Sequence, residues 1–284
     1  MSPVSVAAAA AAETGAVEAR ERHRTRARRQ EQLRTNLWRL GVLVAFAGAW
    51  EGATRGGLIN PFWVSGPSLI VADLWKAFTS GSVFVHIGVT LYEAFLGFVT
   101  GAVAGILSGF ALARWDRLSR VLDPYVTALN SLPRVALAPL FILWFGIGVT
   151  SKVILAFSLV VFILLVNTYA GAKNVDQDLI IISRLLGANR RQLTVKVILP
   201  SSIPWIFAGL RLGLAYALIG AVVGEVIVAQ AGLGFLISHS AGVFNTTGVF
   251  SALIILMVIA MLLNELMKAT ERKLLRWRPQ IPGI

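Results

Sequence analysis

The stretch Ser183–Ile206, SRLLGANRRQLTVKVILPSSIPWI, lies between two long apolar runs yet carries four cations, Arg184, Arg190, Arg191 and Lys196. Asp176 and Asp178 stand ahead of the run LIIISRLL, and acidic residues suit a helix start. Gly187 is placed to end that helix in a left-handed cap. ANRRQLTVKVIL then predicts a second short helix, stopped by Pro200 with Pro204 beyond. Two short helices joined at a glycine make a knob. Its exposed face would combine Leu185, Leu186 and Ala188 with Arg184 and Arg190, a small docking surface for another protein.

The rest of the chain fixes where that knob stands. Of 284 residues, 56% are hydrophobic and only 14% charged, with mean hydropathy +0.74. Soluble domains carry nearer a quarter charged residues. The apolar residues come in runs long enough for a helix to cross a bilayer, about 20 residues, and the alternation of a membrane β-barrel is absent. The fold class expected is an all-α membrane protein with six transmembrane helices. The apolar segments run near 38–58, 87–113, 121–145, 153–170, 203–228 and 249–267. The first is the weakest, because Glu51 and Arg55 interrupt it. The third is broken by Pro124, Pro133 and Pro139.

The net charge of +12 does not point to nucleic acid, since the cations gather at the ends of apolar runs, as membrane topology requires. The chain has no cysteine, and its three histidines, His23, His86 and His239, are far apart in sequence, so a metal site is not expected. Residues 1–36 do not read as a secretion signal, because Ala7–Ala12 precede the arginines rather than follow them. They read as an uncleaved basic tail. The organisation expected is tail 1–36, a first span with an external segment 37–86, a core 87–270 with loop 176–200, and a C-terminal tail 271–284.

Orientation follows from Lys and Arg in the short loops. With the N-terminus inside, the cytoplasm receives the tail arginines, Arg114, Arg117 and Arg120, then Lys173, Arg184, Arg190, Arg191 and Lys196, then the basic C-terminus. The outer loops receive only Arg55, Lys76 and Lys152. The knob therefore faces the cytoplasm, and both termini lie there too.

Two spans carry small-residue ridges. In GFVTGAVAGILSG, Gly97, Gly101, Gly105 and Gly109 recur every four residues, and Gly209 and Gly213 are followed by Gly220 and Gly224. Such spacing puts glycines on one helix face, where another backbone approaches closely. Arg134, Arg211 and Glu225 fall in or beside spans. A charge at the bilayer centre costs about 2.5–3.5 kcal/mol on insertion scales, so these residues should face the bundle, a water-filled path or each other. Arg211 reads as structural. Glu225, late in the fifth span, reads as a buried structural group or a gate. Asn130, Ser131 and Arg134 beside the broken third span are candidates for a path, because irregular backbone at membrane depth must be covered by protein or water, and Arg134 reads equally as one half of an internal salt bridge.

At this point the chain resembles a known family. Gly187 followed by Val197-Ile198 and Leu199-Pro200 is similar to the "EAA" loop of permease subunits in binding-protein-dependent ATP-binding-cassette (ABC) importers, although Ile181, Ile182 and Ser183 stand at the Glu-Ala-Ala positions. SLPRVALAPLFILWFGIG (131–148), NTYAGAKNVD (167–176), GLRLGLAYALIGAVVGE (209–225), AGLGFLI (231–237) and ERKLLRWRP (271–279) look like the nitrate/sulfonate/taurine class of these permeases. The resemblance implies a type I importer permease in the bacterial plasma membrane, working as a homodimer. It also implies two cytoplasmic ATPase subunits on the knobs and an external solute-binding protein. The ATPase-docking role falls on Ser183, Arg184, Leu185, Leu186, Gly187, Ala188 and Arg190. The solute implied is a small anion such as nitrate, taurine, a sulfonate or an aromatic carboxylate, with a thiamine-precursor pyrimidine also open, and Gly232–Gly234 would lie in an outer gate.

The chain has no G-x-x-x-x-G-K-[ST] phosphate loop, so no cofactor is expected on it and ATP hydrolysis belongs to a partner chain. Paired catalytic carboxylates or a nucleophile–base set are likewise not found, which speaks against an enzyme. The alternative function is a channel or secondary transporter driven by an ion gradient, which needs no knob; a non-transporting scaffold would leave the broken third span unexplained. The topology is directly testable in a chain without native cysteines. Arg190→Cys should react with a membrane-impermeant maleimide only after the cytoplasmic side is opened, and reaction in intact cells would reverse the orientation.

Overall fold

A computed structural model describes residues 31–275; the bulk of the basic tail (with His23) and the end of the C-terminal tail lie outside the described residues. Every regular element among the described residues is helical. They divide into two compact units at Ser68–Leu69.

The first unit holds helix α1 (31–55), a turn at Gly57 (φ +73°), helix α2 (Pro61–Val64) and the first residues of helix α3 (Pro67–Ser80). Asn60 caps α2 by accepting from Phe62 N (2.9 Å), and Pro61 opens it, where a missing N–H costs nothing. Glu51, which weakens the first apolar segment, has a local role. Its carboxylate accepts from Ser68 N (3.0 Å), Ser68 Oγ (2.6 Å) and Arg55 Nε (2.6 Å), so it ties the end of α1 to the start of α3. α1 begins before residue 37, so the expected tail-to-span boundary falls inside a helix.

The second unit is built on helices α4 (Ser82–Arg114), α7 (Val149–Lys173) and α10 (Leu199–Ile227), which pack on one another. α11 (Leu233–Gly242) and α12 (Thr246–Leu274) pack together and against α10. The core is made of small and branched side chains, Ala94, Ala102, Ala156, Val160, Leu164 and Ala217 among them. α7 is central because both glycine ridges meet it. A Cβ added at Gly101 would fall 2.8 Å from Val160 Cβ, and one at Gly109 would fall 2.7 Å from Thr168 Cβ. From α10, a Cβ at Gly213 would fall 2.9 Å from Leu164 Cδ2, and one at Gly220 would fall 2.7 Å from Ala156 Cα. In lipid there is no hydrophobic drive between helices, and such close approach supplies the dispersion contacts in its place.

The third apolar segment becomes helix α5 (Asp116–Ser131), a 3-10 turn (Arg134–Leu137) and helix α6 (Ala138–Phe145), with a bend of 79° between its two parts. Of the three prolines only Pro133 breaks it. Pro133 forces Leu132 into extended backbone (φ −67°, ψ 133°), whereas Pro139 sits in the first turn of α6 and Pro124 inside α5. Among the described residues four helices are long and apolar enough to cross a membrane, and five segments are if the bent pair is one span. α1 falls short of the same standard, because Arg39, Glu51 and Arg55 dilute it. α4 starts at Ser82, ahead of the expected boundary at 87, and α3 and α11 were not foreseen, being shorter than a span.

Pro200 also departs from expectation. The expected second knob helix does not end there. Helix α9 (Arg190–Leu193) passes into a π-helical turn (Thr194–Ile198) and on into α10, a continuous run of 38 residues. Leu199 N donates to Thr194 O, five residues back, and Pro200 enters at the second position of α10. The wide turn and Ser202 Oγ, which donates to Ile198 O (2.7 Å), let the helix run past the proline.

The ridges generate a test. Gly105→Leu should destabilise the protein by about 1–3 kcal/mol through overpacking against the Val161 carbonyl and Leu164, read as a lower thermal unfolding midpoint in detergent. Gly88→Ala, in the same helix with open space at its Cβ, should leave that midpoint unchanged or raise it.

Candidate functional site

Two polar constellations stand at opposite ends of α10. At its N-terminal end is the knob. Helix α8 (Gln177–Leu185) is capped by Asp176, whose carboxylate accepts from Asp178 N (2.9 Å). It ends at Gly187 with φ +83°, a conformation that disfavours any residue with a Cβ. Asn189 then opens α9 through a capping box, Gln192 N to Asn189 Oδ1 and Asn189 N to Gln192 Oε1, both 2.9 Å. The two caps hold the hinge open and leave Leu185 and Leu186 81% and 82% exposed at its tip. Arg184, Gly187 and Arg190 are exposed beside them, and Ser183 and Ala188 are half-buried. Exposed adjacent leucines flanked by arginines suit a protein partner better than water.

At the other end Glu225 is buried (1% exposed) and organises the start of α11. The first N–H groups of a helix lack partners within it, and here three in succession are met by side chains of α4 and α10. Gly232 N donates to His86 Nδ1 (3.0 Å), Leu233 N to Thr90 Oγ1 (2.8 Å) and Gly234 N to Glu225 Oε2 (2.6 Å). Thr90 Oγ1 in turn donates to Glu225 Oε1 (2.7 Å). A carboxylate at a helix N-terminus is also favoured by the helix dipole. Gly232 has φ +119°, and a Cβ at Gly232 or Gly234 would overlap the Glu225 side chain. The glycines are required because the carboxyl lies against the backbone.

Two further charges complete this cluster. Glu93 (1% exposed) lies beside the Glu225 carboxyl, and Lys152 (5%) reaches it, with Nζ 4.0 Å from Glu93 Oε1 and 2.8 Å from the Ile147 carbonyl it donates to. Two buried carboxyl groups thus share one ammonium across α4, α7 and α10. Sequence reasoning missed both, since Lys152 was assigned to an outer loop and Glu93 was not singled out. The signal was present. Glu93 stands four residues before Gly97 and Lys152 four before Ala156, so each extends a face that the glycine ridge already marks as buried. His86 and His239, far apart in sequence, stack on the same ring, Phe235, with centroids at 5.8 and 5.5 Å. No cluster able to hold a metal occurs among the described residues.

The remaining candidates separate. Arg134 is turned into its own chain, donating to Leu129 O (3.0 Å) and Asn130 Oδ1 (3.2 Å), with its guanidinium 3.9 Å above the Phe162 ring. Asn130 and Ser131 are exposed, and α5 shares with α7 a cavity that Asp123, Thr127, Asn130 and Ser131 line. Arg211 pairs with Glu271 of α12. Gly97, Gly101, Gly105, Gly109, Gly209 and Gly213 all face α7.

The buried cluster generates a prediction. Lys152→Met strips two buried carboxyl groups of their ammonium and should cost about 3–5 kcal/mol in thermal stability, with Glu93→Gln in the same chain restoring part of it. Equal stability of Lys152→Met and the unmodified chain would show that the ammonium does not balance the pair.

Comparison with known proteins agrees with this architecture. Residues 101–276 match the family described as binding-protein-dependent transport system inner membrane component. The chain is 39% identical over 229 residues to the riboflavin transport system permease protein RibX of Chloroflexus aurantiacus, covering 80% of this chain and 85% of that one. It is 29% identical over 247 residues to the taurine transport system permease protein TauC of Escherichia coli K12, covering 85% and 90%. Among solved structures, inward-facing MetNI, a methionine ABC transporter, superposes with TM-score 0.60 over 68% of this chain and 97% of that chain, at 19% identity. The protein is therefore a transport subunit rather than an enzyme, a member of the inner-membrane permease family of binding-protein-dependent ABC importers.

Proposed function

We propose that the α8–Gly187–α9 knob is where a cytoplasmic ATPase subunit docks, and that α10 carries the resulting displacement to the Glu225 cluster. The observation that carries this reading is the pair Leu185 and Leu186, more than four-fifths exposed on a hinge that two caps and a left-handed glycine hold in one shape. From Leu199 to Glu225 the helix spans about 39 Å at 1.5 Å per residue, the thickness of a bilayer with its headgroups. One continuous helix thus joins the two constellations. The working assembly in this reading is two copies of the chain, two ATPase subunits and an external solute-binding protein, in the bacterial plasma membrane with both termini cytoplasmic. Nucleotide is bound by the ATPase and not by this chain. Membership in the importer family decides against a gradient-driven channel.

The path runs along the polar side of α5. Asn130 and Ser131 are exposed there, beside the 79° bend, while Arg134 is engaged by its own chain. A small anion crossing at this point is met by amide and hydroxyl donors rather than by a guanidinium. Glu225 serves as a structural anchor of the outer turn and not as a side chain that the solute touches.

Leu185→Asp with Leu186→Asp should abolish co-purification of the ATPase subunit while the permease still inserts at its normal level. Gly187→Pro should have the same effect, because it removes the hinge conformation. ATP-driven uptake at the unmodified rate in either variant would exclude the knob as the docking point.

A further inference from the structure

On the flank of the knob a cavity of about 790 Å³ opens between the end of α4, the start of α5 and the two knob helices. Its apolar wall is Leu107 and Phe110 from α4 with Leu193 and Ile198 opposite. Its rim carries Arg114, Arg184 and Arg190, all exposed. None of the three is in a salt bridge among the described residues, and the one acidic side chain at the rim, Asp116, is neutralised by Lys173 at 2.5 Å. Leu107, at 66% exposure, continues an exposed apolar stripe up α4 through Val103, Val99 and Phe95, each four residues from the next. The cavity thus joins an apolar track along a membrane-crossing helix to three uncompensated cations at that helix's end.

We propose that this groove binds an anionic phospholipid, its phosphate among Arg114, Arg184 and Arg190 and an acyl chain along Leu107 and the α4 stripe. The chemistry selects the occupant. A free anion would satisfy the arginines and leave the apolar wall wet, and a zwitterionic lipid would bring a cation to a rim already three charges positive. The chain's own N-terminal residues are excluded by like charge, since Arg20, Arg22, Arg24, Arg26, Arg28 and Arg29 fall among them. Basic pockets between spans at a membrane surface are a recognised way to hold acidic headgroups, each arginine contributing about fivefold in affinity. The proposal rests on the membrane assignment and not on ATPase docking at the neighbouring leucines, although Arg184 and Arg190 serve both surfaces. Lipid in the groove would brace the knob from the side.

The test uses the full chain assembled with its ATPase subunit in a neutral detergent, titrated with phosphatidylglycerol or phosphatidylcholine and read by native mass spectrometry. Phosphatidylglycerol should occupy one site per permease chain and phosphatidylcholine should not. Arg114→Gln should weaken that binding about fivefold, Leu107→Asn should weaken it too, and Arg114→Lys should retain most of it. Arg117→Gln, the same charge change in the same segment but outside the groove, should leave it unaltered. Equal uptake of the two lipids, an equal loss from Arg117→Gln, or displacement of the lipid by millimolar inorganic phosphate would overturn the proposal. So would occupancy in the isolated permease that vanishes in the complex, since the groove would then belong to the ATPase.

Discussion

The close approach of α4 and α10 to α7 is the constraint on which the rest depends. Glycines at 97, 101, 105 and 109 on one side and at 209, 213, 220 and 224 on the other leave no room for a side chain against α7. A membrane offers helices no hydrophobic reason to associate, so contact at backbone distance has to do that work. With three helices fixed at that spacing, the residues just beyond the ridges are placed as well. Glu93 extends the α4 ridge toward the start of that helix, Lys152 begins the α7 face, and Glu225 adjoins Gly224 on α10. The buried charge cluster is therefore an extension of the packing register and needs no separate device to assemble it.

That cluster also explains why charge is tolerated at membrane depth. Each charged side chain placed there carries an insertion cost of about 2.5–3.5 kcal/mol. The cost is offset because Glu225 takes up a backbone N–H that would otherwise be orphaned at the start of α11, and Lys152 lies against both a carboxylate and a carbonyl. His86 and Thr90 accept the other two amides. The turn at 232–234 is thus held by side chains of α4 and α10 together, so neither helix can shift at that end without disturbing α11.

Much of this was legible in the residues. The apolar runs gave the helices, Asp176 and Gly187 gave the ends of α8, and the four-residue spacing gave the glycine faces. What was not legible depended on contacts between distant parts of the chain. Lys152 reads as a loop cation until Glu93 is brought within 4.0 Å of it. His86 and His239 look unrelated until Phe235 lies between them. Arg134 looks available to a solute until Phe162 covers it. Pro200 misled for a local reason: a proline after an apolar run usually stops a helix, and here a wider turn absorbs the missing donor.

The wide turn at Thr194–Ile198 sets an angle as well as sparing a hydrogen bond. It holds one residue more than the ordinary repeat, and one residue is about 100° of azimuth around a helix axis. The compass bearing of the knob relative to the glycine faces of α10 is therefore fixed by chain count, as a key is fixed by the number of teeth, and not by any side chain that could be exchanged. Shortening the segment by a single position would leave composition, charge and caps almost intact while swinging Leu185 and Leu186 more than a quarter turn away from where they now point.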